Sequence, residues 1–274
     1  MQKKFSLVVA SVVLLTLSGC GLFADKPDET ANWSVTKLYS EANAEMVGLH
    51  YEAAIKLYEK LESSYPFGTY AQQAQLEIAY AYYKSGDQAQ ALAAVERFIK
   101  LHPNHPNVDY MYYLRGLVNF NDQIGFLNFI YTQDPTERDP KATRDAFAAF
   151  KDLVTRFPNS KYTPDALARM KYLVNTMASY EIHVARYYYR RAAYLAAANR
   201  AQGAVQDYRN SPSTEEALYI MMRSYDKLGQ TQLRDDTRRV FLLNYPNSRF
   251  LEVDGNKPVR HWWKFWESAP QPGA

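Results

Sequence analysis

Five histidines, one cysteine and a run of tyrosines and arginines are the side chains whose types and spacing could do chemistry. His102 and His105, at i and i+3, straddle Pro103 in LHPNHPN. Two metal ligands can be spaced that way, but a closed site needs four. Asp109 is the only nearby carboxylate, so a histidine at a helix end meeting the dipole is the better reading. His50 and His183 have no patterned carboxylate partner. No Gly-x-Ser-x-Gly, phosphate-binding loop, dinucleotide glycine set or His-Glu-x-x-His occurs. The run Tyr187-Tyr188-Tyr189-Arg190-Arg191 has the composition of a nucleic-acid patch. On a helix it fans over more than half the circumference, so part of it must pack. The expectation is a protein that is not an enzyme and holds no metal.

The cysteine is informative by its position. Met1 to Lys4 carries two lysines, Phe5 to Leu17 is an apolar run, and Leu17-Ser18-Gly19-Cys20 closes it. The run is too short for a membrane span and right for a secretory signal. Its end looks like a bacterial lipobox, in which the cysteine is acylated and becomes the first mature residue. We therefore expect a signal peptide over 1–19 and a covalent N-acyl and S-diacylglycerol lipid on Cys20, with no other cofactor. Two or more acyl chains hold a protein durably on a bilayer. Gly21, in place of an aspartate, favours the outer membrane, so the mature chain is expected on its periplasmic face. That address argues against nucleic acid as a partner. Residues 20–32 read as a polar tether reaching roughly 20 Å root-mean-square.

The elements behind these residues are legible in composition and period. The chain has 274 residues, 47% apolar and 22% charged, with a formal charge of +3. That excludes a disordered chain, and the charge is too small to argue for nucleic acid. Five stretches end in X-Pro: Tyr65-Pro66, His102-Pro103, Phe157-Pro158, Ser211-Pro212 and Tyr245-Pro246. Proline is common just after a helix end. The separations are 37, 55, 54 and 34 residues, two of them close to the tetratricopeptide period. Small and aromatic residues recur at matching places, as in Ala79, Tyr82, Gly86, Ala91 and Phe98.

The two long repeats have separate causes. In the third, helices over Asp109 to Phe120 and Lys141 to Arg156 flank an apolar loop near 121 to 140. In the fourth, Thr163-Pro164-Asp165 reads as an N-cap, a proline at N1 and a first-turn acid. No Gly or Pro follows until Gly203, so one helix is expected from about 164 to 191, with a turn at Arg191 to Ala193. Ser213-Thr214-Glu215-Glu216 has the spacing of a capping box. The reading is all-α, a tetratricopeptide-repeat superhelix of about five helix pairs over 33–246, one with an inserted loop and one with a long helix.

Tyr65-Pro66-Phe67-Gly68-x-Tyr70, Gln72-Gln73 and Ala79-Tyr80-Ala81-Tyr82-Tyr83-Lys84 resemble the BamD (ComL) family of outer-membrane lipoproteins. So do Arg97-Phe98-Ile99, His105-Pro106-Asn107-x-Asp109-Tyr110, Arg115-Gly116-Leu117, Arg138-Asp139-Pro140 and Phe157-Pro158-Asn159-Ser160. The resemblance implies five tetratricopeptide repeats and a non-catalytic scaffold subunit of the machinery that folds and inserts outer-membrane β-barrels. It implies docking to the POTRA region of the central barrel protein, contact with other assembly lipoproteins, and a groove for unfolded outer-membrane protein substrates. Arg200 sits where the family places an arginine at the POTRA contact. Counting helix A positions of the N-terminal repeats offers Tyr39, Asn43, Gln73, Tyr80 and Lys84, with Arg115 from the third, for the groove. The rival reading is a periplasmic repeat lipoprotein acting as adaptor in cell-wall synthesis or proteolysis. A cell-wall lyase would need a catalytic domain, and no residues remain to build one.

The tail, 247–274, departs from this pattern. Arg260-His261-Trp262-Trp263-Lys264-Phe265-Trp266-Glu267 packs three tryptophans beside basic residues. Such a segment suits folding back on the last repeat, or an anchor at the outer-membrane lipid interface or on a partner. From the sequence alone the anchor is favoured.

Overall fold

The computed structural model describes residues 30–121 and 140–250. The signal peptide and most of the tether, the segment expected as a loop near 121 to 140, and the tail beyond Phe250 lie outside the described residues. Those that are described form ten helices: α1 (Val35–Val47), α2 (Tyr51–Ser64), α3 (Thr69–Ser85), α4 (Gln88–Leu101), α5 (Val108–Asn121), α6 (Pro140–Arg156), α7 (Thr163–Arg190), α8 (Tyr194–Asp207), α9 (Thr214–Lys227) and α10 (Thr231–Asn244). No strand occurs among the described residues. None of these helices is long and apolar enough to cross a membrane. The all-α, five-pair reading holds, and the long helix of the fourth pair lies within one residue of its expected bounds.

The described residues fall into two compact units, divided between Ala74 and Gln75. In the first unit α1 packs on α2. Leu38, Ala42, Ala54, Tyr58 and Leu61, at helical spacing, are fully buried there. In the second unit α4 packs on α5, and every later helix packs on its successor. Helix α9 also reaches back to α7, the contact by which one pair stacks on the next. Its interior is a series of local clusters, one around Phe98, one around Phe150 and one around Phe241. Each is built from neighbouring pairs, as in quasi-one-dimensional repeat proteins.

The repeat is written most clearly in the turns. Within four pairs the first helix ends in one residue with positive φ: Leu49 (62°), Gly86 (85°), Ala192 (59°) and Gly229 (70°). Each time the next N–H donates to a carbonyl five residues back, His50 to Glu45, Asp87 to Tyr82, Ala193 to Tyr188 and Gln230 to Tyr225. This closes the last turn as a Schellman motif does. Glycine takes that conformation without strain; Leu49 and Ala192 do not have that freedom.

Between pairs, an aromatic or histidine closes the second helix. Tyr65, His102, Phe157, Tyr208 and Tyr245 each donate their N–H to the carbonyl four residues back. Proline follows all but Tyr208, which is followed by Arg209. This corrects the register of the fourth pair. Tyr208-Arg209-Asn210-Ser211 is the counterpart of Phe157-Pro158-Asn159-Ser160 and Tyr245-Pro246-Asn247-Ser248, and Ser211-Pro212 is not the marker. The serine N–H turns back onto the aromatic carbonyl in all three, at 3.0, 2.9 and 3.1 Å in chain order.

Two expected caps are also corrected. Thr163 is already helical, Tyr162 occupies the cap, and the Thr163 hydroxyl donates to the Phe157 carbonyl at 2.8 Å. Thr214 repeats this with Tyr208 at 3.1 Å. Ser213 has a helical backbone and makes no cap hydrogen bond; its hydroxyl meets that of Ser179 at 3.1 Å. The Thr163 and Thr214 hydroxyls are taken by the preceding turn and that of Ser213 by Ser179 on α7, so local cap chemistry loses.

Candidate functional site

Helix α8 is positioned by its small residues. Ala197, Ala198, Ala201 and Ala204 are buried at i, i+1, i+4 and i+7, which lets α8 lie close against α7 and α9. Asn199 and Arg200 lie outside this buried face, and both are exposed. Arg200 lies in the second turn of α8, not at its start. Its Nη1 is 3.2 Å from Glu181 Oε2, with the arginine side chain 48% exposed and the glutamate 20%. A guanidinium has five N–H donors in a planar fork. One edge of this one meets Glu181, and the exposed remainder faces solvent.

Arg115 has a different character. From α5 its Nη1 reaches Glu96 on α4 at 3.1 Å and its Nη2 reaches Asp152 on α6 at 2.7 Å. The side chain is only 17% exposed and its guanidinium carbon sits 4.8 Å from the Tyr112 ring centroid. It braces three helices of the second unit. An extended peptide's carboxylate could take it only by displacing one of these.

The remaining candidates divide between the units. In the first, Tyr39 on α1 is half-buried and meets Tyr58 and Tyr70 edge-on at 5.8 and 5.4 Å. Asn43, one turn later, is exposed, and Gln73 on α3 is half-buried. In the second, Tyr80 is half-buried and tilted against Tyr83 at 6.3 Å, while Lys84 is exposed in the last turn of α3.

The structure adds residues that sequence reasoning missed. Tyr110 lies 5.5 Å from Tyr162, and Tyr113 stacks on Tyr162 at 4.8 Å. With Tyr80 and Tyr83 these form a set of half-buried rings on the second unit. Burial, reinforced by the neighbouring Tyr80 and Glu77, pushes the Tyr110 hydroxyl far above the usual phenol range, so it stays a donor. The signal was present in Asp109-Tyr110, but nothing in the spacing joined it to Tyr162.

Asp165 anchors this set. It accepts from the Tyr113 hydroxyl at 2.7 Å and from Arg169 Nε at 2.6 Å. Burial and the hydrogen bond to Asp165 push Tyr113 up to about 12. Burial works against ionisation of Asp165, but the hydrogen bonds from Tyr113 and Arg169 outweigh it and hold the carboxyl below its usual range. A phenol whose folded value is raised stabilises fully below its unfolded value of about 10. That contribution is lost as pH rises towards 12. Tyr113→Phe should therefore flatten the fall in stability between pH 10 and 12, at a cost of about 1 kcal/mol at neutral pH. Urea titrations across that range check it; identical pH slopes for the two proteins would rule it out.

His102 and His105 read as structure, and His50, for which no carboxylate partner was expected, meets Glu45 Oε2 at 2.8 Å. His102 Nε2 is 2.9 Å from Gln75 Oε1, and His105 packs edge-on against Phe98 at 5.2 Å. The Asn107 N–H donates to His105 Nδ1 at 3.1 Å, and burial, with His102 beside it, lowers the His105 value. Among the described residues no three His, Cys, Asp or Glu are grouped to hold a metal.

Comparison with known proteins matches residues 31–240 to the YfiO family model, described as Outer membrane lipoprotein. The Neisseria meningitidis serogroup A protein named Outer membrane protein assembly factor BamD is 50% identical over 268 residues, covering 97% of this chain and 100% of its own. The Neisseria gonorrhoeae protein of that name is also 50% identical over 268 residues, with the same coverage. The Vibrio cholerae one is 37% identical over 241 residues, covering 88% of this chain and 99% of its own. The motifs quoted from the sequence, from Tyr65-Pro66 to Tyr245, fall almost entirely within the matched span. The chain belongs to this family of outer-membrane lipoproteins.

Proposed function

We propose that this chain is a non-catalytic subunit of the machinery that assembles β-barrel proteins into the outer membrane. The observation that carries the reading is near full-length identity of 50% to proteins named as outer membrane assembly factors. In this reading the exposed face of α8, with Arg200 at its centre, docks a POTRA module of the central barrel protein. Tyr39, Asn43 and Gln73 on the first unit, and Tyr80, Lys84 and Arg115 on the second, meet unfolded barrel segments or partner lipoproteins. Half-buried rings beside polar side chains give flat apolar surface together with hydrogen-bond donors, which suits an extended chain. Affinity capture from detergent-solubilised membranes tests the whole. A POTRA-bearing barrel protein as principal partner supports it; murein or a cell-wall synthase in its place would establish the adaptor reading.

The lipid on Cys20 belongs to the same proposal. Cys20→Ala should leave the repeats folded and move the protein from the membrane pellet to the soluble fraction, because acyl chains supply the durable attachment. The fractionation is done in high salt with the barrel partner depleted, so that docking cannot substitute for lipid. A variant that still sediments would show another anchor.

A further inference from the structure

In an array of helix pairs each pair covers its predecessor, and the last needs a polar outer face or a cap. Helix α10 is the last described helix, and its outer face sets exposed leucines among the charged Asp235, Arg238 and Arg239. Thr237 and Phe241 point inward and are buried. Leu233, Val240 and Leu243, at i, i+7 and i+10, form one exposed stripe, with Leu243 77% exposed. Leu242 and Leu243 border a shallow groove whose other walls are Asp235, Arg238 and Arg239. Clustered exposed apolar side chains of this kind mark a surface that something covers.

The chain itself carries a suitable cover. Phe250 is buried and stacks on Tyr219 at 4.9 Å, and Tyr219 in turn packs against Phe241 of α10. The tail therefore leaves from a point pinned beside this helix. Eleven residues separate Phe250 from Trp262. They reach about 40 Å extended and about 20 Å on root-mean-square average, against a helix about 21 Å long. The segment then offers Trp262, Trp263, Phe265 and Trp266 within five residues. Its Glu267 complements Arg238 in the groove, where Asp235 already meets Arg234 at 2.8 Å and Arg239 meets Asp236 at 2.6 Å. Tethering gives such a segment an effective concentration in the millimolar range, above that of free competitors.

We infer that residues 251–274 cap the last helix pair, with the aromatic run Trp262 to Trp266 seated on the outer face of α10. The inference does not rest on the assembly reading. Benzoylphenylalanine replaces Leu243 in the full-length lipoprotein in its native membrane, and after irradiation the linked peptides are identified by mass. The expected product joins position 243 to residues 260–267 of the same chain. It should fall at least tenfold when Trp262→Ser, Trp263→Ser and Trp266→Ser are combined. Adducts to lipid, to a second copy or to another protein in place of this product overturn the inference, as does the absence of any intrachain link. An independent reading is trypsin cleavage at Arg260 and Lys264. Leu243→Glu should speed it at least tenfold, because a charge at that exposed position unseats the tail without touching the buried core. Equal rates would overturn the inference as surely as the wrong cross-link.

Discussion

Gly116→Ala is expected to lower stability by about 1–3 kcal/mol, since the added methyl overfills a packed core. A Cβ at Gly116 would lie 2.3, 2.4 and 2.8 Å from three carbons of the Phe150 ring. Phe150 is fully buried in its cluster and has no free space to swing into. Helix α5 can approach α6 this closely only because residue 116 has no side chain. Gly203→Ala is the control: it too is helical, a methyl there would meet nothing within 4 Å, and its φ is ordinary. It should gain about 0.5–1 kcal/mol from helix propensity alone. Chemical denaturation of the two single variants decides the matter, and Phe150→Leu added to Gly116→Ala should recover part of the loss. Equal effects at the two glycines would mean that propensity, not contact, governs α5.

The Gly116 contact marks the limit of what the sequence discloses. The pattern of apolar residues, prolines and caps gives the helical pairs, and the bounds of α5, α6 and α7 fall within about one residue of those expected. Period is a local property, and the helices obey it because each buries one face against its neighbours. The turn expected at Arg191 to Ala193 is found, but its left-handed residue is announced by type only where that residue is glycine. Gly86 and Gly229 are visible, but Leu49 and Ala192 hold the same left-handed conformation with no residue-type signal. There the packing of two helices imposes the turn and the backbone bears the strain. The register of the fourth pair is hidden for a related reason. Proline is the visible marker, whereas the recurring geometry is the aromatic residue whose N–H closes the helix, and Tyr208 keeps that role with Arg209 after it.

Side-chain partnerships across the repeats are the least legible. Helix position alone points Arg115 to a groove, yet its partners Glu96 and Asp152 lie 19 and 37 residues away. Tyr113 and Asp165 are 52 residues apart. No spacing rule joins such pairs, because the third and fourth repeats have their own lengths and the register between pairs is set by stacking. Arg200 is easier. A run of alanines identifies the buried face of a helix, and a long charged residue beside them must lie at its exposed edge.

Arg200→Ala should cost about 2–5 kcal/mol of docking to the barrel partner, the usual range for removing one member of a desolvated ion pair at an interface. Its cost to folding should be under about 1 kcal/mol, because the pair with Glu181 is largely solvated on the arginine side. The neighbouring carboxylate makes the choice of variants matter. Arg200→Glu would place a second negative charge beside Glu181, so it should weaken docking further and also lower the melting temperature. Loss of docking in that variant is then open to two explanations. The double variant Arg200→Ala with Glu181→Gln separates them. If the exposed edge of the guanidinium binds an acid on the partner, removing the Glu181 charge restores nothing, and affinity stays at the single-variant level. If Arg200 acts only by neutralising Glu181, the double variant recovers wild-type affinity. Affinity measured by calorimetry beside melting temperature for the three variants reads both quantities at once. Unchanged affinity in Arg200→Ala takes the residue out of the interface. A fall in melting temperature as large as that of Gly116→Ala would make it a structural residue, held to α7 by Glu181.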